Sequence, residues 1–537
     1  MKEGKSTMGK YDVIVVGGGI SGLTCANYLA RAGKKVLLLE QSHHAGGCMS
    51  GFWREGFYFD GGDQSFESGG VVFPILKELG VYDLHQWEKV GYRIKTPGQD
   101  TVITSLDSVE EHYRREFPGD PGISVVFNEV RQFYEFMDSM VEPTGVKIAD
   151  HPSAAAIFKA VKTMPKFRKW MDPDYRTRLC RAIQNETARK WFSNYGYERM
   201  PFFLFAAFWY MWVKDYWYPA GGMQAFVDSL VAKLAEFNGE VRFKTGVKKI
   251  LVADGRAEGV VTESGEEIPA GHVVYAGDYR KFVFDILGES CFEPAWVEKI
   301  KKQEYSSSMV AVFLGLNIPA EELKAIMRTH HVIRFPNFEI VTPGRGSDRD
   351  VHTRTWVELS SPNFGGPGLS PPGKSSLVLQ SFSSAEFQNF WQNGGYSLSR
   401  TAEYRQFKKE IGMHLVKNAE AVIPGLSEKI AYLEVGTPLS IQRFTRNTLG
   451  ATAGWSYAQS EDSLAGKYGY VQIRTPVRRL YTSGHYCFWP GGIPSAIASG
   501  KFAAGFVLQK SPYLQVEKLS RAAAAFKRTP IIDRIWK

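Results

Sequence analysis

The sequence predicts an α/β chain in which a nucleotide-binding sheet is interrupted by an inserted α+β region. Three observations carry this. Near the start, the β-branched run Asp12 to Val16 breaks into Gly17-Gly18-Gly19 and is followed by helical periodicity. Near the other end, Arg479 to His485 is a short strand opening into a glycine, ahead of a small-residue helix. Between them, strand-like runs separated by Pro- and Gly-rich turns alternate with helical stretches.

Length and composition bound the problem. At 537 residues the chain exceeds one ordinary domain of roughly 100–200 residues. A composition 44% hydrophobic and 23% charged is that of a globular protein with a sizeable core. The net charge of +9 permits attraction to anionic lipid, whereas no zinc spacing or repeat points to nucleic acid as a partner. The cysteines Cys25, Cys48, Cys180, Cys291 and Cys487 are odd in number, dispersed and without a CxxC pair, which suits a reducing compartment. The leading MKEGKSTMGK has no apolar stretch, so the expectation is no signal peptide and a cytoplasmic location, with peripheral contact on the inner face of an anionic membrane as its companion.

The first element in order is Tyr11 to Glu40. Ile20, Leu23, Ala26, Leu29 and Ala30 recur at helical spacing up to Gly33, a residue suited to the position past a helix end, and Lys35 to Leu39 is a second strand ending at Glu40. In Gly17-x-Gly19-x-x-Gly22, Gly17 allows the tight turn, Gly19 lets the backbone approach a pyrophosphate, and Gly22 lets helix and strand pack closely. Ile20 and Ser21 open the helix, whose free N–H groups face the phosphates, and Glu40 can accept hydrogen bonds from ribose hydroxyls. Isolated glycines would equally suit an ordinary turn; strand, helix, second strand and acid in register make a Rossmann-like dinucleotide unit.

The next residues separate one dinucleotide from another. Ala45-Gly46-Gly47-Cys48 and then Gly56-Phe57-Tyr58-Phe59-Asp60-Gly61-Gly62-Asp63 resemble the flavoprotein superfamily that includes amine oxidases and carotenoid desaturases. Much of that superfamily carries an arginine or lysine near the glycine pair; His43, His44 and Cys48 stand here instead, which sets the chain apart from the amine oxidase branch. The segment Arg479 to His485, the loop Trp489 to Ala496 and the helix predicted over Ile497 to Leu508 resemble the C-terminal FAD segment of the phytoene desaturase, carotenoid isomerase and retinol saturase family. Tyr218-Pro219-Ala220-Gly221-Gly222-Met223, opening a helix to about Phe237, resembles the same family's middle segment.

The resemblance implies FAD as cofactor, held in a Rossmann-like domain of the two-dinucleotide-binding flavoprotein type. It implies that Gly46, Gly47, Gly61, Gly62, Gly484, His485, Gly492 and Ile493 lie at the cofactor and that the Val247 backbone meets the adenine. The implied activity is flavin redox chemistry on a hydrophobic small molecule, a long conjugated or isoprenoid chain of carotenoid or retinoid type: hydride transfer at flavin N5, as in a desaturase or saturase, or cis-trans isomerisation assisted by reduced flavin. Two alternatives remain open at this level. One is a flavin oxidase or reductase of another apolar substrate, such as a fatty acid, an amine or a porphyrinogen. The other is a non-catalytic lipid-binding protein of the GDP-dissociation-inhibitor type.

The remaining elements follow from periodicity. Val71 to Leu79 predicts a helix, Tyr92 to Thr104 a hairpin around Pro97-Gly98, and Val109 to about Arg199 several helices. The apolar run Met200 to Val213 is too short to span a bilayer, which takes about 20 residues, and reads equally as a buried core helix or as the aromatic wall of a tunnel. Glu240 to Val252, the hairpin Arg256 to Ile268 turning at Ser264-Gly265, and a separate buried strand within Val273 to Asp278, ending in a glycine, return the chain to the nucleotide sheet. Met309 to Leu316, His331 to Arg334, Thr355 to Leu359 and Ser376 to Phe382 predict a mixed or antiparallel sheet in the inserted region, and Tyr404 to Val422 a helix. Arg443 and Arg446 are expected to pair with acids. The expected division is 10–90, 215–300 and 471–510 for FAD binding, 91–214 for a mostly helical insertion, 301–470 for the substrate sheet and 511–537 for a basic amphipathic tail. No Ser-His-Asp set, metal cluster or paired carboxylate is evident from spacing. His485 and Asp63 are the candidate catalytic acid-base residues, the histidine because it titrates near neutrality.

Overall fold

A computed structural model describes residues 10–140, 165–172, 174–197, 200–387, 401–457, 472–488 and 491–510. The predicted tail and the Trp489-Pro490 pair lie outside the described residues.

The first sheet has the order Glu240–Arg242, Val36–Leu39, Tyr11–Val16, Glu267–Tyr275, Arg256–Thr262, Val247–Ala253, with Leu480–Thr482 paired to Glu267–Tyr275. Its centre is parallel: Val15 lies opposite Leu38 on one side and Val274 on the other. Val13, Ile14, Val15, Leu37 and Leu38 are fully buried, the near-continuous apolar run of a strand covered on both faces. The helix Ile20–Arg31 packs so closely on Gly492–Val507 that a Cβ on Gly500 would stand 2.3 Å from the Ser21 carbonyl oxygen, and the Ser21 and Ser499 hydroxyls are 3.1 Å apart. This contact joins the first helix of the described residues to the last.

Two expected boundaries move. The hairpin arm and the separate strand expected at Val273 are one strand, Glu267–Tyr275, running from the hairpin into the nucleotide sheet. The last helix begins at Gly492 rather than Ile497; Pro494 is its third residue, where a missing N–H costs no intrahelical bond.

The second sheet has the order Ile430–Gly436, Ser308–Leu316, Ser375–Ser383, Val357–Ser360, His331–Arg334, Tyr92–Lys95, Asp100–Ile103. It is mixed, because His331–Arg334 and Tyr92–Lys95 pair in parallel while the other neighbours are antiparallel. Strand alternation gives it two faces. Val312, Leu314, Val332, Leu359 and Leu379 pack with Phe407, Ile411 and Leu415 of the helix Ala402–Ala419. Ala311, Phe313, His331, Glu358, Gln380 and Phe382 face a cavity. The helix Phe202–Lys214 stands over that cavity; among the described residues no helix is long and apolar enough to cross a membrane.

Candidate functional site

A cleft of about 320 Å³ lies at the C-terminal end of the first sheet's parallel strands. Its floor is backbone. The helix Ile20–Arg31 begins at Gly19 with no side-chain cap, so its first N–H groups are free, and a Cβ on Gly19 would meet nothing within 4 Å. Gly17 has φ +105°, and a Cβ on Gly22 would lie 2.0 Å from the Gly17 carbonyl oxygen, so both glycines are required. The second glycine pair docks on the first turn: Gly46 N donates to the Gly18 carbonyl at 2.9 Å. Glu40 is pinned at the strand end by Gly18 N and Ser42 N, each 2.7 Å from one carboxyl oxygen, with lone pairs left toward the cleft.

Of the residues expected at the cofactor, Gly17, Gly19, Ile20, Ser21, Glu40, Gly46, Gly47, Val247, Gly484, His485, Gly492 and Ile493 line this one cleft. Gly22 lies behind the turn, and Gly61 and Gly62 line the neighbouring cavity instead. Open backbone, uncapped helix start and pinned acid fit a dinucleotide, and the cofactor is FAD. Burial, and then the neighbouring His43, lower the His44 pKa, so His44 supplies no fixed cation beside the glycine pair. Arg446 reaches the rim from far along the chain. Neither Arg443 nor Arg446 meets an acid among the described residues, contrary to expectation: Arg443 lies 5.5 Å from the Phe444 ring centre, and Arg446, in a left-handed conformation with φ +61°, donates to Gln41 Oε1 at 3.1 Å. That backbone turn carries Arg446 toward the cleft and away from partners on its own helix.

The adjoining cavity, of about 970 Å³, shares Gly47, Cys48, Asp63, Thr452 and Gly492 with the cleft. Tyr92, Tyr195, Tyr197, Phe208, Trp212, Tyr216, Trp356 and Phe382 line it. Both readings of the apolar run therefore hold, on different faces of one helix: Phe205 and Trp209 are fully buried in the core, while Phe208 and Trp212 face the cavity. Tyr92 stacks on Trp212 with centroids 4.5 Å apart. At the rim stand the exposed side chains Trp53 and Phe444, with Arg54 and Arg443.

The two acid-base candidates differ. Burial pushes the His485 pKa down to about 4, against a smaller opposing pull from Asp278, so this ring is neutral at pH 7 and does not titrate where the sequence argument needed it to. Burial, then the charge of Asp60, pushes Asp63 up to about 7, at the junction of cleft and cavity. Glu67 is raised by burial to about 8, and a Cβ on Gly492 would stand 3.4 Å from its Oε1. Asp60 is raised less, to about 6, because Tyr218 and Tyr58 hydroxyls and Met223 N donate to its carboxylate.

Spacing did not reveal a set that the fold assembles: Ser65, His331 and Glu358. Ser65 Oγ is 2.6 Å from His331 Nε2, and His331 Nδ1 is 2.6 Å from Glu358 Oε1. These residues come from different elements: strand pairing sets His331 beside the strand of Glu358, and the segment before Phe66 brings Ser65 onto His331, so no local signal could have found them. Among the described residues there is no group of side chains suited to a metal, and the five cysteines are unpaired.

A family model described as flavin containing amine oxidoreductase matches residues 20–508. Among curated relatives, the zebrafish (Danio rerio) all-trans-retinol 13,14-reductase is 23% identical, covering 95% of this chain and 88% of that protein. The chloroplastic prolycopene isomerase of Arabidopsis thaliana is 24% identical, covering 92% and 82%. Among solved structures, wild-type putrescine oxidase bound to putrescine has the same fold, with a TM-score of 0.59 at 14% identity over 93% of this chain and 99% of that one.

Proposed function

The chain belongs to the flavin-containing amine oxidoreductase family, and from that premise we propose that it is an FAD-dependent oxidoreductase or isomerase of a long conjugated isoprenoid, carotenoid- or retinoid-like. The observation that carries this is the aromatic cavity of about 970 Å³ opening directly onto the cofactor cleft at Asp63 and Gly492. Its size and rings suit a rigid apolar chain. The substrates in the relatives' names, retinol and prolycopene, agree with it.

The flavin supplies two-electron chemistry when bound. The chain's own residues do the rest. The N–H groups at Gly19 to Ser21 hold the pyrophosphate, Glu40 the ribose, the Val247 backbone the adenine, and Arg446 supplies the cation that His44 does not. Aromatic side chains orient the substrate and keep water from the reacting carbon. Asp63, titrating near neutral pH, holds or takes up a proton at its carboxyl beside that carbon. His485 braces the loop rather than exchanging protons: a Cβ on Gly454 would sit 3.2 Å from its ring. The rim, with Trp53 and Phe444 exposed at 52% and 58% beside two arginines, suits entry of substrate from an anionic membrane surface and a peripheral cytoplasmic location.

The test is anaerobic. The bound flavin is photoreduced and a candidate polyene added. Return of the oxidised flavin spectrum with a shortened polyene chromophore identifies a reductase; a changed double-bond geometry with the flavin still reduced identifies an isomerase. Fully flavin-loaded protein that alters no retinoid or carotenoid in either redox state refutes the reading.

A further inference from the structure

The sheet beneath the large cavity lays a line of polar side chains across an otherwise aromatic wall. Tyr92 is registered with His331, and Glu358 with Gln380, while His331 lies opposite Ser360, two residues along from Glu358. Alternation turns Tyr92, His331, Glu358 and Gln380 to the cavity and leaves Val332 and Leu359 in the core behind. Ser65 joins from the segment after Gly61-Gly62, its hydroxyl 2.6 Å from His331 Nε2. The Tyr92 ring lies flat on His331, 4.7 Å between centroids and 9° from parallel, with its hydroxyl 3.4 Å from Glu358 Oε1.

This line is incomplete as a protein network. His331 Nδ1 approaches Glu358 Oε1 at 2.6 Å, but too obliquely for the N–H to point along the contact, and this nitrogen is buried without a hydrogen-bond partner. Glu358 Oε2 receives no hydrogen bond from the described residues, and the 18% of its side chain that stays accessible belongs to a cavity-lining residue. A carboxyl oxygen and a ring nitrogen left unpartnered among aromatic rings cost stability unless something polar completes the network.

Resting on the function proposed above, we infer that Ser65, His331 and Glu358 form a subsite for the hydroxyl end of the substrate, so that the ligand is an alcohol-terminated polyene rather than a pure hydrocarbon. Glu358 accepts the ligand's O–H, and Ser65, held by His331, makes the second hydrogen bond. The pairing favours a hydroxyl over an ammonium group. A hydroxyl can donate to Glu358 and accept the Ser65 O–H at once, whereas an ammonium has donors only and accepts nothing. A site built around a substrate hydroxyl discriminates strongly against the analogue lacking it, because its own polar groups are then left unpaired.

The experiment measures binding, not turnover. Quenching of tryptophan fluorescence, with Trp212 and Trp356 in the cavity wall, is followed on the full flavin-loaded chain titrated with a C20 polyene alcohol, the matching hydrocarbon and the matching primary amine. Wild type is expected to bind the alcohol at least about tenfold tighter than the other two. Glu358→Ala and Ser65→Ala are each expected to lose that preference while keeping flavin content; should Glu358→Ala fail to fold, Ser65→Ala decides. Equal affinity for alcohol and hydrocarbon in wild type, a preference for the amine, or a preference that survives in the folded variants overturns the subsite while leaving the polyene reading intact. Binding of neither polyene overturns the function, and the subsite with it.

Discussion

The cofactor cleft and the substrate cavity share a wall but are made of different material. The cleft is shaped by backbone: Gly17, Gly19, Gly46 and Gly484 line it, and the free N–H groups of an uncapped helix are its polar equipment. The cavity is shaped by side chains that a mixed sheet and one helix project into a common space. A backbone wall has no tolerance, since adding one carbon closes it. A side-chain wall can exchange residues of similar volume and so can change substrate without changing fold. The members of one family reported above, named for retinol and for prolycopene, fit that division.

The largest effect that would sharpen the contrast is Gly22→Ala. The new Cβ would lie 2.0 Å from the Gly17 carbonyl oxygen, and overpacking of about 1–3 kcal/mol against rigid backbone should weaken flavin binding by up to about 100-fold. Flavin fluorescence released on dilution measures this; an unchanged flavin affinity breaks the claim that the turn behind the cleft tolerates no added carbon. On the other side of the wall, Trp212→Ala removes the ring stacked on Tyr92 and should raise the Kd for a polyene about tenfold, near 1.4 kcal/mol, with flavin content intact. Loss of flavin with the tryptophan would show that the two regions are not separable.

The smallest effect is at the junction. A carboxyl whose folded pKa is raised binds its proton more tightly in the folded state, so its stabilising contribution is complete below the unfolded value near 4 and is lost as pH rises through the folded value. For Asp63 that window runs from about 4 to about 7, with Asp60 and Glu67 contributing to about 6 and about 8. The lowered pKa values of the buried His485, His112 and His352 act in the opposite sense from about pH 4 to 6.5, so the readout is a difference: the Tm of wild-type holoprotein relative to Asp63→Asn should fall between pH 4 and 7. That difference should amount to no more than about 1 kcal/mol, because the partly exposed carboxyl is screened by solvent. A slope identical to wild type would place Asp63 outside the buried junction.

Much of the cleft was legible in the sequence because each requirement there is local. Gly33, expected past the helix end, has φ +81°, and the spacing from Gly17 to Gly22 is the spacing of one helical turn against one strand. Legibility failed where a property depended on surroundings. His485 was chosen for the usual histidine titration, which burial moves to about 4, and Arg446 was expected to pair with an acid but turns to Gln41 at the cleft rim. The run Met200 to Val213 could not say which of its rings faced core and which faced ligand, since nearly every position is apolar and periodicity carries no contrast.

By itself, then, the sequence determined the β-turn-α nucleotide unit, the cofactor class by resemblance, and four strands of the second sheet, because these depend on residues within a few positions of one another; it missed Ile430–Gly436 and placed the Tyr92–Thr104 hairpin in the helical insertion rather than in that sheet. Only the tertiary structure decided that Gly484 and Gly492 close on Gly17 and Gly19, that one helix serves both core and cavity, and that Ser65, His331 and Glu358 meet. The reason is that strand order and register set those encounters, and register is fixed by the burial of whole sheet faces rather than by any short stretch of chain.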